Sequence, residues 1–262
     1  MTDAVRADAL TLARQALSPA PAGLFVDFDG TLSPIVRDPM AARLVPGAAE
    51  ALVALAARLA LVCIVTGRAA LDVRRMTGLS EVWVAGNHGI EWLAPGELEV
   101  ERPAAVAGNR TELERLLAAV PPLPGVWVED KGLSAAVHYR GTPDPAVART
   151  QVVAALSAAV PSSAIELREG RMSVELRPAG LGDKGTALRR LAQRFGLRGL
   201  VVLGDDVTDL DMFRAAAELR TGGADAAIIA VGGHGEVPAR VAQAADAVVA
   251  DPAAAVALLR AL

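Results

Sequence analysis

A chain of 262 residues is longer than one ordinary compact domain, so it holds either one large α/β unit or a core carrying an inserted second unit. Its 30 acidic and 26 basic residues form no block of one sign, which argues against a nucleic-acid footprint or a polybasic membrane patch. The single cysteine, Cys63, excludes a disulfide within the chain, and its place in the apolar run Leu61-Val-Cys-Ile-Val65 reads as a buried core thiol.

The first residues, Met1-Thr-Asp-Ala-Val-Arg-Ala-Asp8, mix acids with bases and lead into no uninterrupted apolar segment. They do not read as a signal peptide, so cytoplasmic residence is the default expectation. The apolar stretch 48–65 contains Glu50 and Arg58 and changes period partway: Leu52, Leu55 and Leu59 share a helical face, then 61–65 is a β-prone run. It reads as a helix followed by a buried strand, not a membrane span.

Further apolar runs at 24–26, 82–84, 200–203 and 227–231 each end in a polar motif, and helical periods at 184–195 and 209–219 lie between them. Runs without alternation are strands buried on both faces, so the expected core is an α/β doubly wound, mostly parallel sheet, with ligands beyond the carboxyl ends of its strands. The middle of the chain has another rhythm. A helix to about residue 120, strands at 125–130 and 134–140, a helix at 145–159, and a hairpin of 165–168 with 172–177 around Glu169-Gly-Arg171 predict an antiparallel α+β unit. The expected division is a core of 1–102 with 181–262, and an inserted cap of 103–180 acting as a lid.

Four segments carry chemistry. In Phe25-Val-Asp-Phe-Asp-Gly-Thr31, Asp27 and Asp29 leave the end of a strand together; two carboxylates this close need a cation or a shared proton. An Asp-Gly turn is the plainer account of the same residues. Gly204-Asp-Asp-Val-Thr-Asp209 again follows a buried strand, and its three acids suit a hard cation such as Mg²⁺ better than they suit simple helix capping. Thr66-Gly67-Arg68 offers a hydroxyl and helix N-terminal amides to a phosphate. Lys184, in Gly182-Asp-Lys-Gly185, can set an ammonium on a phosphate oxygen.

In this order and context the four segments resemble the haloacid dehalogenase superfamily of phosphatases over the whole chain. The resemblance implies Asp27 as nucleophile, Asp29 as general acid and base, Thr66 and Lys184 as catalytic phosphate ligands with Gly67 and Arg68 beside them, and Asp27, Asp29, Asp205, Asp206 and Asp209 as the Mg²⁺ site. Further segments narrow it: Gly86-Asn-His-Gly-Ile-Glu91, Lys131 with His138-Tyr-Arg140, and Gly170-Arg-Met-Ser-Val-Glu-Leu-Arg-Pro178 resemble the trehalose-6-phosphate phosphatase family from about Gly23 to the C-terminal segment. That likeness implies a small-molecule sugar phosphate as substrate and trehalose biosynthesis as setting; the mixed charge leads to the expectation of no nucleic-acid or membrane partner, and a monomer is the default expectation. It makes Glu175 the first candidate for sugar hydroxyls, with Glu129, Lys131 and Arg140 also in the cap and Asn87, His88 and Glu91 near its hinge. Glu175 alternates with Val174 and Leu176, as the solvent face of any strand would. Trp83, Trp92 and Trp127 are too scattered to form a sugar platform, and His234 reads as a loop residue. One departure from the family is Leu210, which stands where an acidic residue usually follows the Thr-Asp pair; a carboxylate supporting the metal ligands would be missing.

Overall fold

The structure is a computed structural model that describes residues 3–36, 38–106, 108–159, 164–170, 172–233 and 237–262. His234 and Arg171, both singled out above, lie outside the described residues. The chain divides into two compact units, Met1–Glu101 with Gly182–Leu262, and Arg102–Leu181 between them.

The strands of the first unit are β1 (Ala22–Val26), β2 (Leu61–Val65), β3 (Trp83–Gly86) and β4 (Glu91–Leu93), those of the inserted unit β5 (Trp127–Asp130), β6 (Ala135–His138), β7 (Ile165–Gly170) and β8 (Ser173–Pro178), and the first unit resumes with β9 (Gly199–Gly204), β10 (Asp225–Val231) and β11 (Ala247–Val249). The helices are α1 (Asp3–Ala16), α2 (Ala48–Ala56), α3 (Ala70–Thr77), α4 (Asn109–Ala118), α5 (Pro145–Ala159), α6 (Lys184–Arg194), α7 (Leu210–Thr221), α8 (Ala239–Ala244) and α9 (Pro252–Ala261).

In the first unit seven strands lie in the order β11-β10-β9-β1-β2-β3-β4. All neighbours are parallel except β4, which returns antiparallel on β3 as an edge. The unbroken apolar runs follow from helices on both faces. Leu24, Val26, Val62, Ile64, Val201 and Leu203 point into one core with α1, α2, α3 and α9. Phe25, Cys63, Val65, Leu200 and Val202 point into the other, against α6, α7 and α8. Successive residues alternate between the two cores, so no position on these strands can be polar. Cys63 is fully buried and unpaired, and burial pushes its thiol well above its usual range.

Several expected boundaries shift. The helix over 48–59 ends at Ala56, because Arg58 and Leu59 close on the Leu55 carbonyl as the chain turns into β2. The strand at 82–84 runs on to Gly86, and the helix before residue 120 is two pieces, a 3-10 turn at Ala104–Val106 and α4.

The inserted unit has its own core. Its antiparallel sheet, β5-β6-β8-β7, buries Ala135, Val137, Val174 and Leu176 against Leu113 and Leu116 of α4 and Ala148, Val152 and Leu156 of α5. The other face of this sheet is polar, as the alternation in β8 requires.

Among the described residues no helix is long and apolar enough to cross a membrane.

Candidate active site

The central strand β1 lies between β9 and β2, so the segments after these three strands meet at one end of the sheet. Asp27 N–H donates to the Leu203 carbonyl, the last rung of the β1–β9 ladder, and the residue is 4 % exposed. Asp205 and Asp206 follow β9 on a tight turn; both of their N–H groups donate to Oδ2 of Asp209, at 2.9 and 3.1 Å. Asp206 and Asp209 form a reciprocal capping box, which accounts for two of the three acids in that motif.

Lys184 is the first residue of α6, whose start is capped by Asp183 accepting from Thr186 N–H. Gly185 lets that end approach α7: a Cβ there would lie 2.3 Å from the Asp211 carbonyl oxygen. Lys184 is thereby sunk to 3 % exposure, where its ammonium donates to Asp27 Oδ1 at 2.5 Å and Asp209 Oδ1 at 2.6 Å. Burial alone would pull this ammonium down, but Asp209 and Asp27 hold it well above its usual range.

Asp27, Asp205 and Asp209 each place a carboxylate oxygen within 4.8 Å of the others. One ammonium cannot balance three carboxylates. Desolvation raises Asp27 to about 7 despite the Lys184 charge, and desolvation with the Asp27 and Asp209 charges raises Asp205 to about 9. An all-oxygen cluster that cannot hold its own negative charge fits a hard divalent cation, so the residues present suit a metal site. Of the five acids expected there, the structure brings three together; Asp206 caps its turn, and the Asp29 carboxylate is bound elsewhere.

That partner is Arg68. Its Nε and Nη2 donate to Asp29 Oδ2 and Oδ1 at 2.6 and 2.7 Å, a two-pronged ion pair. Arg68 N–H also donates to Thr66 Oγ1, and Thr66 is fully buried. The segment after β3 braces this turn: the Arg68 carbonyl accepts from Asn87 N–H, the Thr66 carbonyl from His88 N–H, and a Cβ on Gly67 would lie 2.6 Å from the His88 ring. Asn87 Nδ2 and Ala70 N–H both donate to the buried Glu91 Oε1, so Glu91 caps the N-terminus of α3. Asn87 and His88, sequence candidates for substrate contact, are buried here as parts of that brace. Glu91 gave a signal only as part of its motif; its capping role spans 21 residues and no local pattern announces it.

In the inserted unit, Glu129, His138 and Glu175 share the polar face of the sheet, in register through Ala136. His138 Nε2 lies 3.0 Å from Glu129 Oε2 and stacks on Trp127, while Lys131 Nζ lies 3.9 Å from the same carboxylate. Glu175 accepts from Nε of Arg177 at 2.7 Å and is half-buried, not a freely solvated face. Arg140 is exposed beyond the end of β6.

A family model, trehalose-phosphatase, matches residues 25–245. The chain belongs to the trehalose-phosphatase family. The family's span takes in the Asp27 loop, the inserted unit and the Asp205–Asp209 turn. Trehalose-phosphate phosphatases of Mycobacterium tuberculosis and Mycobacterium leprae are 39 % and 38 % identical over 221 and 235 residues, covering 81 % and 85 % of this chain and 55 % and 53 % of theirs. The chain thus spans about half the length of these relatives, and 15 % of an uncharacterised glycosyl hydrolase of Mycobacterium tuberculosis that is 41 % identical over 202 residues. The C-terminal domain of Candida albicans trehalose-6-phosphate phosphatase shares the fold, with a TM-score of 0.77 at 23 % identity over 96 % of this chain and 95 % of that one. The Aspergillus fumigatus trehalose-6-phosphate phosphatase has a TM-score of 0.61 at 27 % identity, over 97 % and 95 %.

Proposed function

We propose that the chain is a phosphoric monoester hydrolase that converts trehalose 6-phosphate to trehalose and phosphate through an aspartyl-phosphate on Asp27. The observation that carries this reading is the buried Lys184 ammonium shared by Asp27 and Asp209, with Asp205 alongside, at the strand ends of a trehalose-phosphatase family member. A divalent cation, Mg²⁺ by the hardness of its donors, would be held by Asp27, Asp205 and Asp209 and supplies positive charge to the phosphoryl oxygens when bound.

The chain's own groups then divide the work. Asp27 attacks phosphorus in line as the bond to the sugar oxygen breaks, and Asp29 gives that oxygen its proton. Water next attacks the aspartyl-phosphate, passing a proton to Asp29 and releasing phosphate and a free Asp27. Lys184 and the Thr66 hydroxyl orient phosphoryl oxygens, and the Lys184 ammonium offsets charge that grows on them. Glu129, Lys131, Arg140 and Glu175, all in the inserted unit, are the proposed contacts to sugar hydroxyls. Leu210 leaves the metal ligands without a following carboxylate, but Asp206 and the backbone already hold Asp209.

The test is Asp27→Asn with a panel of sugar phosphates and phosphate detection. The variant should fold and release no phosphate above background; activity near that of the parent would remove Asp27 as nucleophile. For the parent, trehalose 6-phosphate ranking below another sugar phosphate in kcat/KM would overturn the substrate.

A further inference from the structure

Arg68 belongs to the segment expected to meet phosphate, yet its side chain is fully occupied elsewhere. Two of its nitrogens bind the Asp29 carboxylate, Nη1 donates to the Pro39 carbonyl at 2.8 Å, and the guanidinium carbon lies 5.4 Å from the Phe28 ring centroid. The residue is 8 % exposed, whereas the Asp29 side chain is 38 % exposed. Arg68 is therefore the fixed partner and Asp29 the group being held. Its backbone is fixed as well, by Thr66 Oγ1 on one side and Asn87 N–H on the other.

We infer that Arg68 is a positioning residue for Asp29, acting on the reaction through that carboxylate and not by touching the substrate. The inference rests on the proposed acid and base role of Asp29. A carboxylate in a loop after a strand samples several rotamers, and a misplacement of about 1 Å can cost about a hundredfold in rate. A guanidinium fork fixes both the position and the plane of its partner. It also leaves room for the chemistry: a carboxylate has about four lone-pair sites, and the fork uses two. Each oxygen keeps a site for the proton that leaves with the sugar and returns from water.

A group that acts through the proton donor should matter most where the leaving oxygen needs a proton. Trehalose is a poor leaving group and needs one; nitrophenolate leaves without it. The experiment compares the parent, Arg68→Met, Arg68→Lys and Asp29→Asn with Mg²⁺ present, on steady-state trehalose 6-phosphate hydrolysis and on single-turnover nitrophenolate release from p-nitrophenyl phosphate. Arg68→Met should lower kcat on trehalose 6-phosphate by about tenfold or more with KM within about twofold, because a general acid contributes roughly 100- to 10,000-fold and would be loosened, not deleted. Nitrophenolate release should change by less than about threefold, and Arg68→Lys, with one donor toward the carboxylate in place of two, should fall between. Equal losses on both substrates in a variant that melts with the parent, a rise in KM at constant kcat, or no loss would each overturn the inference; should Arg68→Met melt well below the parent, Arg68→Lys, which keeps the charge, is read by the same criteria. Asp29→Asn should show the same contrast between substrates, only larger. If Asp29→Asn keeps full turnover of trehalose 6-phosphate, the acid and base reading has failed, whatever Arg68→Met does.

Discussion

Gly30 and Asp205, 175 residues apart, meet so closely that a Cβ on Gly30 would stand 2.0 Å from Asp205 Oδ2, in a backbone with φ of +88°. The bare glycine lets the Asp205 carboxylate lie flat against the Asp27 loop, with Thr31 Oγ1 3.5 Å from its other oxygen. Gly30→Ala should therefore fail in two ways. The left-handed backbone costs about 1–2 kcal/mol for a residue with a Cβ. Displacement of Asp205 should raise the Mg²⁺ concentration needed for half-maximal phosphate release by about 10- to 100-fold, the range for losing support around a metal ligand. A Mg²⁺ titration of activity reads this directly, and an unchanged midpoint would show that Asp205 is not a ligand.

Lys184 is the only positive charge hydrogen-bonded to both Asp27 and Asp209 among the described contacts. Replacing it with Met keeps the buried stem and leaves two desolvated carboxylates facing each other. Breaking a buried pair on one side costs about 3–5 kcal/mol, so metal-free Lys184→Met should melt roughly 6–20 °C below the parent. Added Mg²⁺ should restore part of that loss without restoring activity, since the cation replaces the neutralising charge but not the phosphate contact. A melting curve that does not respond to Mg²⁺ would count against the cation site.

The metal-free protein should also lose stability as pH rises. Asp27 at about 7 and Asp205 at about 9 lie above the unfolded carboxylate value near 3.8, so the folded state binds more protons than the unfolded one between these limits. Their contribution is complete below pH 4 and is lost as pH climbs through 7 and then 9. In EDTA the melting temperature should fall from pH 5 to pH 9, and saturating Mg²⁺ should flatten the decline by holding both groups ionised in the fold. A metal-free profile that is level or rising across this window would contradict the crowding of charge at the site.

The strands and the residues at their ends were legible because burial on both faces leaves a local mark: 24–26, 61–65 and 200–203 carry no polar residue, and the acids begin where the sheet stops. Pairings across the sheet leave no such mark. Nothing in Thr66-Gly67-Arg68 says that the guanidinium turns to Asp29, 39 residues earlier, and nothing in Asn87-His-Gly-Ile-Glu91 says that it braces the Thr66 turn. Strand β4 was missed for a related reason. It has three residues, Glu91-Trp-Leu93, and begins with the acid that caps α3, so its period is too short to register. The polar face of the inserted sheet was legible as alternation, but not the stacking of Trp127 on His138, which depends on the register of β5 against β6.

That polar face supplies the last prediction, because Glu175 has two possible duties there. Its carboxylate accepts from Arg177, which is only 4 % exposed, so it serves the stability of the inserted unit whatever else it does. Glu175→Gln keeps the shape and one acceptor oxygen for Arg177, and exchanges the carboxylate for an amide where a sugar hydroxyl would bind. If Glu175 recognises sugar, kcat/KM for trehalose 6-phosphate should fall by about tenfold or more, the loss of a charged hydrogen bond of about 1.5–3 kcal/mol, while p-nitrophenyl phosphate hydrolysis stays within about twofold. If Glu175 serves Arg177 alone, the melting temperature should drop and the ratio of the two activities should hold. The ratio separates the two duties because p-nitrophenyl phosphate presents the phosphoryl group without the disaccharide, so only a residue that reads the sugar can change it.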